Sequence, residues 1–309
     1  MKTLKLILTI LLTGFCGTAV LAQQDPMISE YMTNGLFLNP AYAGSHPYTT
    51  VSMLYRKQWL DFDGSPRTSF ATFDKKFTGK KVGLGFTLVN DKIGVTNQTD
   101  LGAAYSYHLG LGKGQLALGI KGSISYYRAM LTDLKVWDEN DKVFVTNIYD
   151  KWIPNFGAGA YYYMDRFYAG ISVPHLMNYK PSSTLSAEIS RLPKLERHYY
   201  LTSGLVFRTP GDIYLKPSFL LKYVPDAPLT ADLNFNVFFK TYFSVGASFR
   251  TGEGIVALFE MNATRRLRFG YAFDLPMNHL YKYTYGSHEF MLAYDLGIYI
   301  NRVKTPRFF

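Results

Sequence analysis

The stretch QLALGIKGSISYY, Gln115–Tyr127, decides how the chain is read. On an extended backbone Leu116, Leu118, Ile120, Ile124 and Tyr126 share one side, and Gln115, Ala117, Gly119, Lys121, Ser123 and Ser125 share the other. The same period-two split separates Leu229, Ala231, Leu233, Phe235, Val237 and Phe239 from Asp232, Asn234, Asn236 and Lys240. It also separates Phe290, Leu292, Tyr294, Leu296 and Ile298 from Met291, Ala293, Asp295 and Gly297. In a water-soluble sandwich the apolar face would meet a second sheet and the polar face would meet water. Here the sense is inverted. The polar face is rich in Gly, Ser and Ala, the apolar face carries Tyr and Phe near the strand ends, and segments of about ten residues suit a tilted strand that crosses a membrane.

Working outward from that stretch, alternation recurs from Tyr48 to the C-terminus. About 14 strands are expected, beginning near Tyr48, Arg67, Lys81, Thr99, Gly114, Ile153, Arg166, His198, Ile213, Leu229, Tyr242, Gly254, Leu267 and His288. Tight connections fall at Thr78–Lys80, Gly112–Gly114, Met164–Arg166, Thr209–Asp212 and Lys240–Thr241, with Asn262–Arg266 nearly as short. Long ones fall between them, at Asn90–Gln98, Leu131–Trp152, Pro174–Arg197 and Pro276–Ser287. Long and short ends alternate, as in outer-membrane barrels with short periplasmic turns and longer external loops. The chain ends in Arg307-Phe308-Phe309, and a terminal Phe is a common feature of such barrels. No repeat or linker divides Tyr48–Phe309, so residues 48–309 are expected to form one closed all-β, transmembrane antiparallel β-barrel. At about 14 strands its lumen holds water unless something fills it.

Composition agrees. Aromatic residues make up 17% of the 309, as 25 Tyr, 23 Phe and 3 Trp, and charged residues only 18%. The mean hydropathy is near zero, too polar for a helical membrane protein but natural for strands with two unlike faces. Residues 1–22 have the form of a secretory signal peptide: Lys2 and Lys5, the apolar run Leu6–Phe15, and Val20-Leu21-Ala22 before Gln23. Cys16 is the sole cysteine and follows Phe15, where a lipoprotein signal wants a small residue. Cleavage after Ala22 leaves neither a disulfide framework nor a thiolate metal site. Export then also lowers the net charge of +10 by Lys2 and Lys5, to +8. The remaining basic residues are spread along strands rather than clustered, which argues against nucleic acid as a partner. Phosphate-bearing outer-leaflet glycolipid or an acidic protein is the more natural neighbour.

No chemistry stands out. His46, His108, His175, His198, His279 and His288 have no spacing that gathers metal ligands. Ser287-His288-Glu289 contains the residue types of a catalytic trio, but consecutive side chains on a strand point to opposite faces. No catalytic residue, metal or cofactor is expected.

Residues 23–47 fit neither leader nor strands. NGLFLNPAYAGS, Asn34–Ser45, is apolar and turn-rich, with Pro40, Gly35 and Gly44 unsuited to a helix or a ladder. Together with Asp25–Asn34, with YRKQWLDFDGSPRT (Tyr55–Thr68), PNFGAGAYYY (Pro154–Tyr163), FYAGISVPHL (Phe167–Leu176) and GSHEFMLAYDL (Gly286–Leu296), this stretch resembles the PorP/SprF family of Bacteroidota outer-membrane proteins. The resemblance covers essentially the whole mature chain. It departs at Asn34-Gly35-Leu36, where the family more often has an Asn-Pro pair.

The resemblance implies an outer-membrane component of the type IX secretion system, or a paralogue serving one substrate such as a gliding adhesin. The partners it implies are periplasmic lipoproteins and secreted cargo with C-terminal signal domains. Residues 25–44 are then expected to form a periplasmic or lumen plug, with Tyr31, Met32, Leu36, Phe37, Leu38 and Tyr42 packing on the barrel or a partner. Pro40 would stiffen the turn and lower the entropic cost of docking. The motif residues are Tyr31, Asn39, Pro40, Ala41, Tyr42, Gly44, Arg56, Gln58, Trp59, Pro66, Arg67, His288 and Glu289. Their alternatives are structural: a clamp that seals the first strand, inward-facing Arg56 and Gln58, and a girdle position for Trp59. A porin or small-molecule transporter is the competing function, since alternation reveals a barrel and not its cargo. A barrel enzyme would need Ser, His and carboxylate groups converging at one rim.

Overall fold

The computed structural model describes residues 26–77, 79–133, 147–177, 196–225, 227–240 and 242–297. Leader, Cys16, terminal Phe309 and most of the two longest loops, 134–146 and 178–195, lie outside them.

The strands are β1 (Thr49–Lys57), β2 (Arg67–Lys76), β3 (Val82–Ile93), β4 (Thr96–Leu111), β5 (Gly114–Ala129), β6 (Ile148–Met164), β7 (Phe167–Val173), β8 (Tyr199–Leu205), β9 (Phe207–Thr209), β10 (Ile213–Tyr223), β11 (Thr230–Phe239), β12 (Phe243–Arg250), β13 (Gly254–Asn262), β14 (Leu267–Pro276) and β15 (Ser287–Leu296). All pairings are antiparallel. Both β8 and β9 pair with β10 and are two pieces of one stave, so these 15 segments make a wall of 14 staves. The wall closes where β15 pairs with β1, from Thr49 opposite Leu296 to Lys57 opposite His288, and where β10 pairs with β11. Closure gives every stave a neighbour on each side.

The inverted patterning holds around the ring. Ile120 is 63% exposed and the next residue, Lys121, only 7%. Met53, Phe86, Trp152, Phe156 and Phe290 point out, while Ser52, Arg56, Thr72, Asp74 and Asp295 are buried inside. Among the described residues no helix is long and apolar enough to cross a membrane; the crossing is made by strands.

One end carries only short turns, including Gly112–Lys113 and Asp165–Arg166, each closing a hairpin with two residues. The other carries the longer connections 58–66, 130–147, 174–198, 224–229 and 277–286. The expected loop at Asn90–Gln98 is corrected: β3 runs to Ile93 and β4 starts at Thr96, joined by Gly94 (φ 55°) and Val95. The Asn90 amide bonds Asn97 Oδ1 at 2.7 Å and Thr99 Oγ1 at 2.8 Å across the ladder. Both faces are polar there, so hydrophobic alternation no longer marks a strand that is still paired. β6 starts at Ile148 rather than near Ile153, and there a register shift against Tyr127 and Ala129 interrupts the alternation.

Residues 26–48 run along inward-facing side chains. The Ile28 carbonyl accepts a bond from Arg250 near the long-loop end, and Gly44 N–H donates to Asp74 near the short-turn end. Ile28, Tyr31, Phe37 and Leu38 pack with wall residues such as Leu54, Phe70, Leu220 and Val256. Leu36, Ala41 and Tyr42 pack with Ala117, Tyr161 and Tyr168.

Candidate functional site

The N-terminal segment meets the wall in two ways. Its first half meets charge. Arg56 and Glu289 lie directly opposite each other on β1 and β15 and are 1% and 0% exposed. The Glu289 carboxylate accepts the N–H of Glu30 at 2.6 Å and that of Ser29 at 2.9 and 3.1 Å. Arg56 Nη1 donates to Glu289 Oε2 and to Ser29 Oγ, each at 3.1 Å, and Nη2 pairs with Asp274. Ser29 Oγ in turn donates to Asp274 Oδ1 at 2.9 Å. Beside them Arg250 Nε holds both oxygens of Asp232 at 3.1 Å. Buried charges persist only when paired and hydrogen-bonded, and here part of that satisfaction comes from the segment's own backbone. Tyr31 completes this half: its hydroxyl accepts from Asn234 Nδ2 at 2.6 Å, and burial pushes its ionisation well above the usual 10.

The second half meets shape. Asn34 Nδ2 donates to Ser52 Oγ at 2.6 Å and Thr72 Oγ1 at 2.7 Å. A short 3-10 turn follows at Pro40–Tyr42, capped by Asn39, whose Oδ1 accepts from Ala41 N at 2.9 Å. Proline suits the start of such a turn because the first N–H groups have no partner within it. Asn39 Nδ2 reaches the wall at Ala160 O, 3.0 Å away. The Leu38 carbonyl accepts from Ser172 Oγ at 2.7 Å and the Ala43 carbonyl from Ser106 Oγ at 2.5 Å. At two points under the turn the wall is glycine: a Cβ at Gly119 would stand 2.2 Å from Ala41 N, and one at Gly83 2.2 Å from Ala43 O. Gly35 has a matching reason on the segment's own side. A Cβ there would stand 2.6 Å from the Tyr42 ring.

Of the expected motif residues, Tyr31, Asn39, Pro40, Ala41, Tyr42, Gly44, Arg56 and Glu289 come together inside the barrel. Gln58, Trp59 and Pro66 lie on the β1–β2 connection, where Gln58 N donates to Pro66 O at 3.0 Å and Trp59 N to Ser287 Oγ at 3.1 Å. Arg67 and His288 face out, His288 against the Tyr271 hydroxyl at 2.8 Å. Ser287 and Glu289 point inward and His288 does not, so the three do not converge. Sequence reading missed Ser29, which gave no signal, and Asp74, Asp232, Arg250 and Asp274, whose only signal was a charge at an inward parity of an alternating strand.

The model of the type IX secretion system membrane protein family PorP/SprF matches residues 20–294. The chain belongs to the PorP/SprF family. It is therefore an outer-membrane β-barrel of the type IX secretion system, with its short turns at the periplasmic end and its long loops outside. No curated protein matches it significantly. Among solved structures, the Acinetobacter baumannii outer membrane protein Omp33 is 12% identical over 82% of this chain and 99% of its own, with a TM-score of 0.46. The CymD monoaromatic hydrocarbon channel is 10% identical over 86% and 93%, at 0.49, and the NanC porin 6% identical over 81% and 100%, at 0.39.

Proposed function

We propose that this PorP/SprF barrel works by binding protein partners and that residues 25–44 are its plug, supporting secretion or surface attachment of cargo, a gliding adhesin being one candidate. The observation that carries this reading is the seating of residues 28–44 on both a buried charge network and a glycine floor. Hollows beside it measure about 20 Å³ at Glu30, about 30 Å³ beneath Tyr31 and Tyr42, and about 80 Å³ at Arg56, Trp59 and Asp274. A diffusion channel needs an open water path lined by fixed charges. Here those charges bond the segment instead. No catalytic step is assigned. The expected partners are periplasmic lipoproteins of the secretion system and cargo with C-terminal signal domains, met at the periplasmic face or at the long loops.

The test is affinity purification of the tagged protein from native outer membranes, with mass spectrometry of what co-purifies and single-channel recording on the same preparation. Secretion lipoproteins or a large adhesin, with little conductance, is the expected result. A lone protein with steady open conductance would overturn the proposal in favour of a porin.

A further inference from the structure

The outer ends of β1–β5 carry a second constellation, on the membrane side of the wall. Directly opposed residues of neighbouring strands share a face. The register sets Lys57 opposite Arg67, Arg67 opposite Lys92, Lys92 opposite Asn97, and Asn97 opposite Arg128. All have the parity of the outward-facing Met53, Leu88, Leu101 and Ile120. The carboxylates of these five strands, Asp74, Asp91 and Asp100, have the other parity and face inward. Among the described residues Lys57, Arg67 and Lys92 form no ion pair. The nearest acids in sequence, Asp61 and Asp63, belong to the β1–β2 connection beyond the row. Elsewhere the outer strand ends present Trp152, Tyr199, Tyr223, Phe249, Ile255 and Leu275 instead.

One step toward the membrane centre stand Tyr55, Ser69, Asn90 and Thr99, all able to hydrogen-bond. Below them the wall is hollow. Two adjoining apolar hollows, of about 760 and 610 Å³, meet at Ala71 and Leu88, where the small Ala71 lies among Met53, Phe73 and Leu88. From the rim inward the surface thus offers cations, then hydroxyls and amides, then an apolar recess. That is the order of phosphate, sugar and acyl chain in a phosphorylated glycolipid.

We propose that this wall is a binding site for one anionic, multiply acylated glycolipid of the outer leaflet. Its phosphates sit on Lys57, Arg67 and Lys92, its sugar on Ser69, Asn90 and Thr99, and an acyl chain in the recess over Ala71. Arg128 continues the row on β5, opposite Asn97. Arginine suits the task because its planar fork grips phosphate bidentately. Hydrocarbon tails gain little from leaving other tails, so the recess selects shape while the cations supply affinity.

The test uses the full-length barrel in mild detergent, native mass spectrometry, and two probes: bisphosphorylated lipid A and zwitterionic phosphatidylethanolamine. The wild type is expected to retain one lipid A in preference to phosphatidylethanolamine. Combining Lys57→Gln, Arg67→Gln and Lys92→Gln should weaken retention by roughly fivefold per cation removed. Ala71→Phe should weaken it with no change of charge. The same number of neutralisations at the periplasmic turns, Lys80→Gln, Lys81→Gln and Lys113→Gln, should leave it unchanged; heat-modifiable migration confirms that each variant is folded. Equal retention by wild type and the rim variant, equal retention of the two probes, or an equal loss from the periplasmic variant overturns the site. An unaffected Ala71→Phe overturns the recess.

Discussion

The two halves of the N-terminal segment rest on opposite kinds of wall. Around Ser29 and Glu30 the barrel offers buried Arg56 and Glu289 and half-buried Asp274, and the contact is electrostatic. Around Pro40–Ala43 it offers Gly83 and Gly119, and the contact is backbone against backbone with nothing between. A charge network fixes direction but leaves a cost wherever one member is lost; a glycine floor has no charge to lose but tolerates no added atom. The segment is thus held near its outer end by what the wall carries and near its periplasmic end by what the wall lacks.

The largest expected effect comes from the charged half. Arg56→Ala leaves Glu289 buried and Asp274 half-buried without their shared cation, and a broken buried pair costs about 3–5 kcal/mol. The temperature at which heat-modifiable migration is lost should fall accordingly, and Arg56→Lys should restore only part because a point charge cannot reach Ser29, Glu289 and Asp274 together. Melting unchanged from wild type would mean that the network is solvated rather than buried.

On the floor, Gly119→Val puts a Cβ where Ala41 N already stands. Overpacking typically costs about 1–3 kcal/mol, and here both sides are backbone, so the upper end applies. The barrel should still fold, since the outward faces and ladders are untouched, while the turn is displaced. Single-channel conductance should rise in this variant and not in Gly122→Ala, where an added Cβ meets open space. A third, smaller effect belongs to Asn39→Ala, which removes the cap and the bond to Ala160 O for about 1–2 kcal/mol. A cysteine introduced at Ala43, in a chain whose only native cysteine is Cys16, would report the displacement by faster maleimide labelling. Unchanged labelling would place the hold on the turn elsewhere.

How much of this was legible follows from the same contrast. Period-two patterning located the 14 staves, twelve of their starts to within a residue of Thr49, Arg67, Val82 and their successors, because each strand has one face in hydrocarbon. It failed at Thr96, where both faces are polar, and at Ile148, where a register shift breaks the alternation. The inward glycines were visible as small residues, but not as a floor, since nothing in Gly83 or Gly119 says what lies on it. Arg56 and Glu289 are 233 positions apart, and only barrel closure brings them together. The cation row was hidden in the same way: Lys57, Arg67, Lys92 and Arg128 look scattered until the register aligns them.

The smallest effect tests whether charge also tunes the seating. Glu30 gives its N–H to Glu289, while its own Oε1 is buried and accepts no hydrogen bond among the described residues. Burial pushes its carboxyl well above the ordinary 4.5, Glu260 and Glu289 push the same way, and Arg268 opposes them. A seated segment therefore binds this proton more tightly than a released one, and the free energy of seating must fall as pH rises. The loss begins near the ordinary carboxyl value, where a released Glu30 ionises, and continues until the seated one ionises too. Channel open probability should accordingly climb as the pH rises above the ordinary carboxyl value in the wild type. Glu30→Gln keeps the backbone bond and the size of the side chain but carries no titrating proton, so its open probability should stay low and flat across that range. A slope that survives the substitution would move the titration to the wall and leave the charged half of the contact as a fixed clamp rather than a tunable one.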